Sequence, residues 1–229
     1  MLQNLNKKYR ETYMIKKIKE LINNEPIQNE NEHSDKRIVL IDPSELAASG
    51  TKEPDMRLVG LFCDVNEEKI AEIIHSILYF DALNSQVNKE AKQPITFYLS
   101  TYGGNADDMF AMYDLMRNVR DTTEIHTVGL GKVMSAGVLL LASGTKGKRK
   151  IGKNCRVMIH AVMGGNHGSL HNMANEMEAI EQLQDMYCDA LIKESKLTRV
   201  KLKKMLERKV NVYLSAEEAV ELGIADEII

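Results

Sequence analysis

From residue 57 to the C-terminus, short apolar runs alternate with stretches whose apolar residues return every three or four positions. The runs predict strands over residues 57–62, 95–100, 125–130 and 157–160, with a further one at 37–41. The other stretches predict helices: one capped by Asn66 and running to about Leu83, one over 106–120, and a wholly apolar one over 135–143. A polar connection, NSQVNKEAKQP, fills 84–94. In the last third, Met173, Met177, Ile180, Leu183, Tyr187 and Leu191 mark one face of a long helix. Ser215 and Glu218 form a capping box before a short helix that stops at Gly223. Strands alternating with helices imply parallel pairing through right-handed crossovers, so the predicted class is α/β.

The first thirty-five residues break the pattern. Tyr13, Ile15, Ile18, Leu21 and Ile22 could share one face of a short helix, but NNEPIQNENEHSD at 23–35 offers almost nothing to bury. Residues 1–35 therefore read as a mobile or propeptide-like arm, or a docking element, and 36–229 as the folded domain.

Composition leaves this organisation unchanged and narrows the function. Of 229 residues, 44% are apolar and 28% charged, which is ordinary globular usage. A formal net charge of −3 provides no basic field for nucleic acid or an anionic membrane. Cys63, Cys155 and Cys188 are far apart with no CxxC, which excludes a disulfide framework and a cysteine zinc site and fits a reducing compartment. The charged N-terminus lacks the apolar core of a signal peptide, and the uncharged apolar stretch at 133–145 is too short to span a bilayer. The expected location is the cytoplasm. The Asn-, Lys- and Ile-rich usage equally suits a plastid stroma or, for a viral protein, the host cytoplasm.

Three features could carry chemistry. Gly103-Gly104 follows a strand and precedes a helix, where unhindered backbone N–H groups can face a crevice; a plain tight turn explains the pair equally well. Ser135 lies between a strand and the apolar helix. A serine there is most often only an N-cap, but small Ala136 and Gly137 immediately after it would let its hydroxyl stand clear and leave a neighbouring amide free for an oxyanion. His160 ends an apolar strand twenty-five residues later, where α/β folds place ligands, although a structural histidine is common at such a position. His167 and His171 are four apart, but Gly168 intervenes and no carboxylate completes a set, so no metal is expected.

Taken in order, Gly103-Gly104, Gly131 with Met134-Ser135-Ala136-Gly137, LLLASGTKGKR at 139–149, RVMIH at 156–160, Gly164-Gly165, and LSAEEAV at 214–220 with Gly223 resemble the ClpP family of proteolytic subunits, from about Arg57 to the C-terminus. The resemblance implies a ClpP/crotonase-like α/β fold, in which spiralling βαβ units form a head and a long handle helix, at about 173–195, protrudes. It implies stacked heptameric rings around a proteolytic chamber, of one subunit type or mixed with paralogous Clp subunits. An AAA+ Clp unfoldase would feed in unfolded protein. On the matching positions Ser135 would be the nucleophile, His160 the general base, and Gly104 and Ala136 the oxyanion-hole amides. Gly103, Met163, Gly164 and Gly165 would hold a peptide strand by backbone pairing. Hydrolysis would run through an acyl-enzyme, with no cofactor.

The chain also departs from the family. The third triad position, four residues before Ser215, is Asn211 instead of Asp. An Asn oxygen can accept from His160 Nδ1 and hold the tautomer, but it brings no charge to the imidazolium; the same change in a trypsin-like enzyme costs ~10⁴ in turnover. Ala136 stands where the family usually has Met, and Ser100-Thr101-Tyr102 where it has Asn-Ser-Pro. Lys209 and Val210 are not the acid–arginine pair often used between rings, residues 1–56 do not match the axial-loop segment, and 84–94 reads as an insertion. Two readings stand: a weak serine endopeptidase, or a ClpR-like structural subunit with little or no activity. A crotonase-type lyase shares the fold but has no use for a Ser135–His160 pair.

Overall fold

The computed structural model describes residues 56–165, 167–207 and 211–229. The expected N-terminal arm, its apolar helix face and the strand at 37–41 lie outside the described residues. Those residues form seven strands and six α-helices: β1 (Leu58–Leu61), α1 (Glu67–Ser85), β2 (Ile95–Thr101), α2 (Ala106–Val119), β3 (Ile125–Met134), α3 (Ala136–Ala142), β4 (Arg149–Ile151), β5 (Arg156–Ile159), α4 (Leu170–Glu194), α5 (Arg199–Leu206), β6 (Val212–Leu214), α6 (Ala216–Glu221) and β7 (Glu227–Ile228). A 3₁₀ turn, Lys89–Ala91, lies in the connection after α1.

Side-chain caps start the helices where the sequence places them. Asn66 Oδ1 accepts from the Lys69 amide at 3.0 Å, and Asn105 Oδ1 accepts from the Asp107 and Asp108 amides at 2.8 and 3.0 Å. The capping box closes in both directions, with Ser215 N donating to Glu218 Oε2 at 2.8 Å and Glu218 N to Ser215 Oγ at 3.2 Å. The 84–94 connection is less loop-like than its composition suggests. Asn84 is buried, its Nδ2 donating to Gln93 O at 2.9 Å and to Thr123 Oγ1 at 3.0 Å while its Oδ1 accepts from Arg57.

The sheet runs β1-β2-β3-β4-β7 with every neighbouring pair parallel, as alternating strands and helices require. β3 is longer than the predicted strand and carries two partners on successive segments: Thr127–Gly129 pairs with β4 and Lys132–Met134 with β5. Between these segments the register against β2 slips, Leu99 facing Gly129 but Thr101 facing Val133. Gly131, at φ 64°, accommodates the extra residues of this bulge. β6 then adds antiparallel to β5. β4 and β7 are only three and two residues long, too short to show alternation in sequence.

The core centres on α3, whose seven residues, AGVLLLA, are all buried. It packs against β2, β3, α2 and α4. The stripe of α4 divides along its length: Met173 and Met177 are exposed, Ile180 and Leu183 half-buried, and Tyr187 and Leu191 buried. At its end α4 is locked by charge. The carboxylate of Glu194, 0% exposed, accepts from Arg117 Nη1 at 2.8 Å, from Arg120 through both terminal nitrogens at 2.9 Å, and from the Tyr113 hydroxyl at 3.2 Å; Lys146 Nζ lies 3.2 Å away. Arg149 Nη1 donates to the Glu194 carbonyl at 2.7 Å while its Nε reaches Asp226 at 2.8 Å.

Burial pushes the Glu194 carboxyl up, but the hydrogen bonds and charge of Arg120, with Lys146, outweigh it and hold the group below its ordinary value. A carboxyl held low when folded contributes stability that is complete above its unfolded value of 4.5 and is lost as pH falls through the folded value. Glu194→Gln leaves the partly exposed Arg117 and Arg120 guanidinium groups without their anion, with an expected loss of about 2 kcal/mol in urea unfolding at pH 7. The variant should also lose part of the acid sensitivity that Glu194 is expected to give the parent below pH 4.5.

Candidate active site

Ser135 occupies the sharp turn from β3 into α3 with φ 52° and ψ −121°, the only non-glycine residue at positive φ among those described. Such a conformation costs about 1–3 kcal/mol and persists only where its surroundings enforce it. Here they do so from two sides. The Ser135 amide donates to Met158 O of β5 at 2.8 Å. Its carbonyl accepts from the Val138 amide at 3.0 Å and from the Tyr187 hydroxyl of α4 at 3.3 Å. Tyr187 is buried, and burial pushes its phenol up, so it remains a neutral donor. Ser135 stands in the N-cap position of α3, yet its side chain makes no capping bond. The turn presents the hydroxyl without using it to end a helix.

Below this turn lies Gly103, at φ 101°. A Cβ there would sit 2.6 Å from Ser135 Cβ and 2.9 Å from Met134 O. Gly104, at φ 148°, is closed to a side chain from the other direction, since a Cβ would meet Val65 O at 2.2 Å. The segment after β1 clips this loop in place, Val65 N donating to Gly103 O at 2.7 Å and Asn105 N to Val65 O at 2.9 Å. Among the described residues, neither the Gly104 amide nor the Ala136 amide has a protein acceptor. Both residues line the same cleft, which leaves two N–H groups free for a ligand oxygen.

That cleft, about 430 Å³, brings together Ser135, His160, Gly104, Ala136, Met163, Gly164 and Gly165. β3 and β5 run side by side with Met134 opposite Met158, so Ser135 and His160 leave neighbouring strands within one step of each other. His160 is half-buried. Neither the Ser135 hydroxyl nor the His160 ring has a hydrogen-bond partner among the described residues, and in substrate-free enzymes the bond between such a pair is often long until substrate arrives. The remaining charged lining is acidic, from Asp107 and Glu176. Tyr102 lines the cleft, 64% exposed, with Lys132 Nζ 4.6 Å from its ring centroid.

Two expected residues fall outside the lining. Gly103 lies beneath Ser135 and acts through the space it leaves. Asn211 is exposed and precedes β6. The β5–β6 register, with Ile159 opposite Val212, carried one residue further sets Asn211 across from His160. Sequence reasoning missed Met158 and Tyr187 as supports of Ser135. The Tyr187 hydroxyl gave a usable signal, because a tyrosine at the buried end of an apolar stripe needs a polar partner. A carbonyl acceptor such as that of Met158 leaves no trace in residue identity.

The Clp protease family model matches residues 53–229. The ATP-dependent Clp protease proteolytic subunit 3 of Synechococcus sp. (strain CC9902) is 32% identical over 174 residues, covering 76% of this chain and 82% of the relative. With a parallel-dominated α/β sheet, a cleft built on the expected turn and this match across three quarters of its length, the chain belongs to the Clp protease family.

Proposed function

We propose that this Clp proteolytic-type subunit is itself a serine endopeptidase, with Ser135 as nucleophile, His160 as general base and Asn211 as the group that orients the histidine. The observation that carries the reading is the turn at Ser135. A φ of 52° is held by β5, α4 and Gly103 together, and a subunit kept only for architecture gains nothing from holding a serine so. In the reaction, His160 takes the Ser135 proton as Oγ attacks a peptide carbonyl. The oxyanion is received by the Gly104 and Ala136 amides, and His160 returns the proton to the leaving amine. Water then resolves the acyl-enzyme. The peptide strand lies along Met163, Gly164 and Gly165.

The exposed Met173 and Met177 on α4 suit a handle that packs against other subunits in stacked rings. Unfolded protein delivered by an AAA+ Clp unfoldase is the substrate, and rings shared with paralogous Clp subunits fit the same surface. Asn211 supports a second reading, a ClpR-like subunit of little activity, because no carboxylate is offered from that position to a charged His160.

Fluorophosphonate labelling of the purified chain, read by intact mass, separates the two. Covalent labelling that disappears in Ser135→Ala is the expected result; absence of labelling in a protein that still assembles would establish the structural subunit. Asn211→Asp should raise peptide turnover tenfold or more, out of the ~10⁴ that this charge is worth in a trypsin-like triad. An unchanged rate in a variant that labels normally would remove Asn211 from the triad. Gly103→Ala drives a methyl into Ser135 and should slow labelling by about 10², the scale of an ångström-level misplacement, with the circular dichroism spectrum retained.

A further inference from the structure

The segment that follows His160 is seated on α4 at two points. Val162 N donates to Gln184 Oε1 at 2.6 Å. Two residues on, Gly164 lies so close to Ile180 that a Cβ would meet its Cδ1 at 2.4 Å and its Cγ1 at 2.9 Å. Ile180 and Gln184 are four apart on the helix, a rise of about 6 Å, and two residues of extended chain span about 6.6 Å. The two repeats match, and the segment runs antiparallel to the helix, with Val162 at Gln184 and Gly164 at Ile180. The orientation of the Gln184 amide follows from its partners. A backbone N–H demands the oxygen, which turns Nε2 towards Cys188 Sγ, 3.2 Å away and able to accept weakly. Gln184 is thus held at both ends, and Cys188 beneath it is buried.

We infer that Gln184 is a positioning residue for the peptide-holding segment. It fixes Val162, and so sets the height at which Met163, Gly164 and Gly165 face the cleft, without touching the reacting atoms. The inference rests on the peptidase reading for its kinetic consequence and on the geometry of α4 alone for its structural one. Gln184 lies outside the lining of the Ser135 cleft, and Ser135 is held independently by Met158 and Tyr187. Loss of Gln184 should therefore loosen the hold on an extended substrate and leave the nucleophile intact.

The test compares Gln184→Ala and Gln184→Glu with the parent in the full-length protein. Gln184→Ala should raise KM for a peptide of four or more residues about fivefold to tenfold, the scale of one lost hydrogen bond, with kcat and the fluorophosphonate labelling rate unchanged. Gln184→Glu keeps an oxygen acceptor for Val162 N and should restore KM to within about twofold of the parent, well inside that one-bond scale. Amide exchange supplies a readout that needs no activity: the peptide spanning 161–165 should exchange faster in Gln184→Ala, return to parental protection in Gln184→Glu, and leave β3 and β5 unaffected. Parental exchange at 161–165 in Gln184→Ala would overturn the inference, as would a fall in labelling and peptide turnover together with faster exchange throughout the sheet. If the parent itself fails to label, the peptidase reading falls, and exchange at 161–165 still decides the role of Gln184.

Discussion

The conformation of one residue organises the functional half of this molecule. Ser135 can hold φ 52° only because its amide and its carbonyl are engaged by different elements, Met158 of β5 on one side and Tyr187 of α4 on the other. Each bond contributes roughly 1 kcal/mol net, comparable with the strain it opposes, so neither alone would suffice. The demand propagates outward. β5 must reach the tip of β3, which requires the bulge at Gly131 to redirect that tip away from β4. The loop after β2 must pass beneath the serine without a side chain, which requires glycine at 103. Gly104 and Ala136, on either side of this contact, then both line the cleft.

Helix α4 supports this arrangement from below with residues at helical spacing. Ile180 carries Gly164, Gln184 holds Val162, Tyr187 holds Ser135, and Glu194 ends the row between Arg117 and Arg120 at the end of α2. The contacts change character along the row, from apolar packing through single hydrogen bonds to buried charge. Buried ion pairs are weak sources of net stability but strict about geometry, because a carboxylate displaced from its guanidinium partners is left unsolvated. Glu194 is in this sense a stop that fixes the axial position of α4, and with it the heights of the three contacts upstream.

Much of this was legible in the sequence. Asn66 and the Ser215–Glu218 box are local devices, readable because the capping group and the amide it serves lie within three residues. The parallel sheet followed from the order of strands and helices. The motifs around Ser135 and His160 were legible because RVMIH and the small residues after Ser135 are unusual combinations. What escaped depends on distant partners. β4 and β7 are strands only because β3 and β4, respectively, offer them an edge, and their few residues carry no period of their own. Asn84 looked like loop composition until Arg57 and Thr123 surrounded it. Ser135 read most simply as a cap, and the reason it is not one lies in the Met158 carbonyl and the Tyr187 hydroxyl, twenty-three and fifty-two residues away.

The question posed by Asn211 is narrower than the contrast between an enzyme and a scaffold suggests. The strained turn, the Gly103-Gly104 loop and the segment seated on α4 after His160 are built from glycines and helix contacts that do not involve position 211. Such parts alone sustain 10³–10⁴-fold acceleration over water in a serine protease stripped of its triad. On the proposed pairing with His160, an asparagine at 211 would keep a hydrogen-bond acceptor and remove only a charge. The difference between the two readings is therefore electrostatic and local: one carboxylate oxygen exchanged for an amide nitrogen, on an otherwise intact frame. Holding the turn at Ser135 costs about 1–3 kcal/mol, a strain that an architectural role does not call for. The strained turn at Ser135 is the observation that weighs towards the peptidase proposed above, and Asn211 the one that weighs towards the structural subunit.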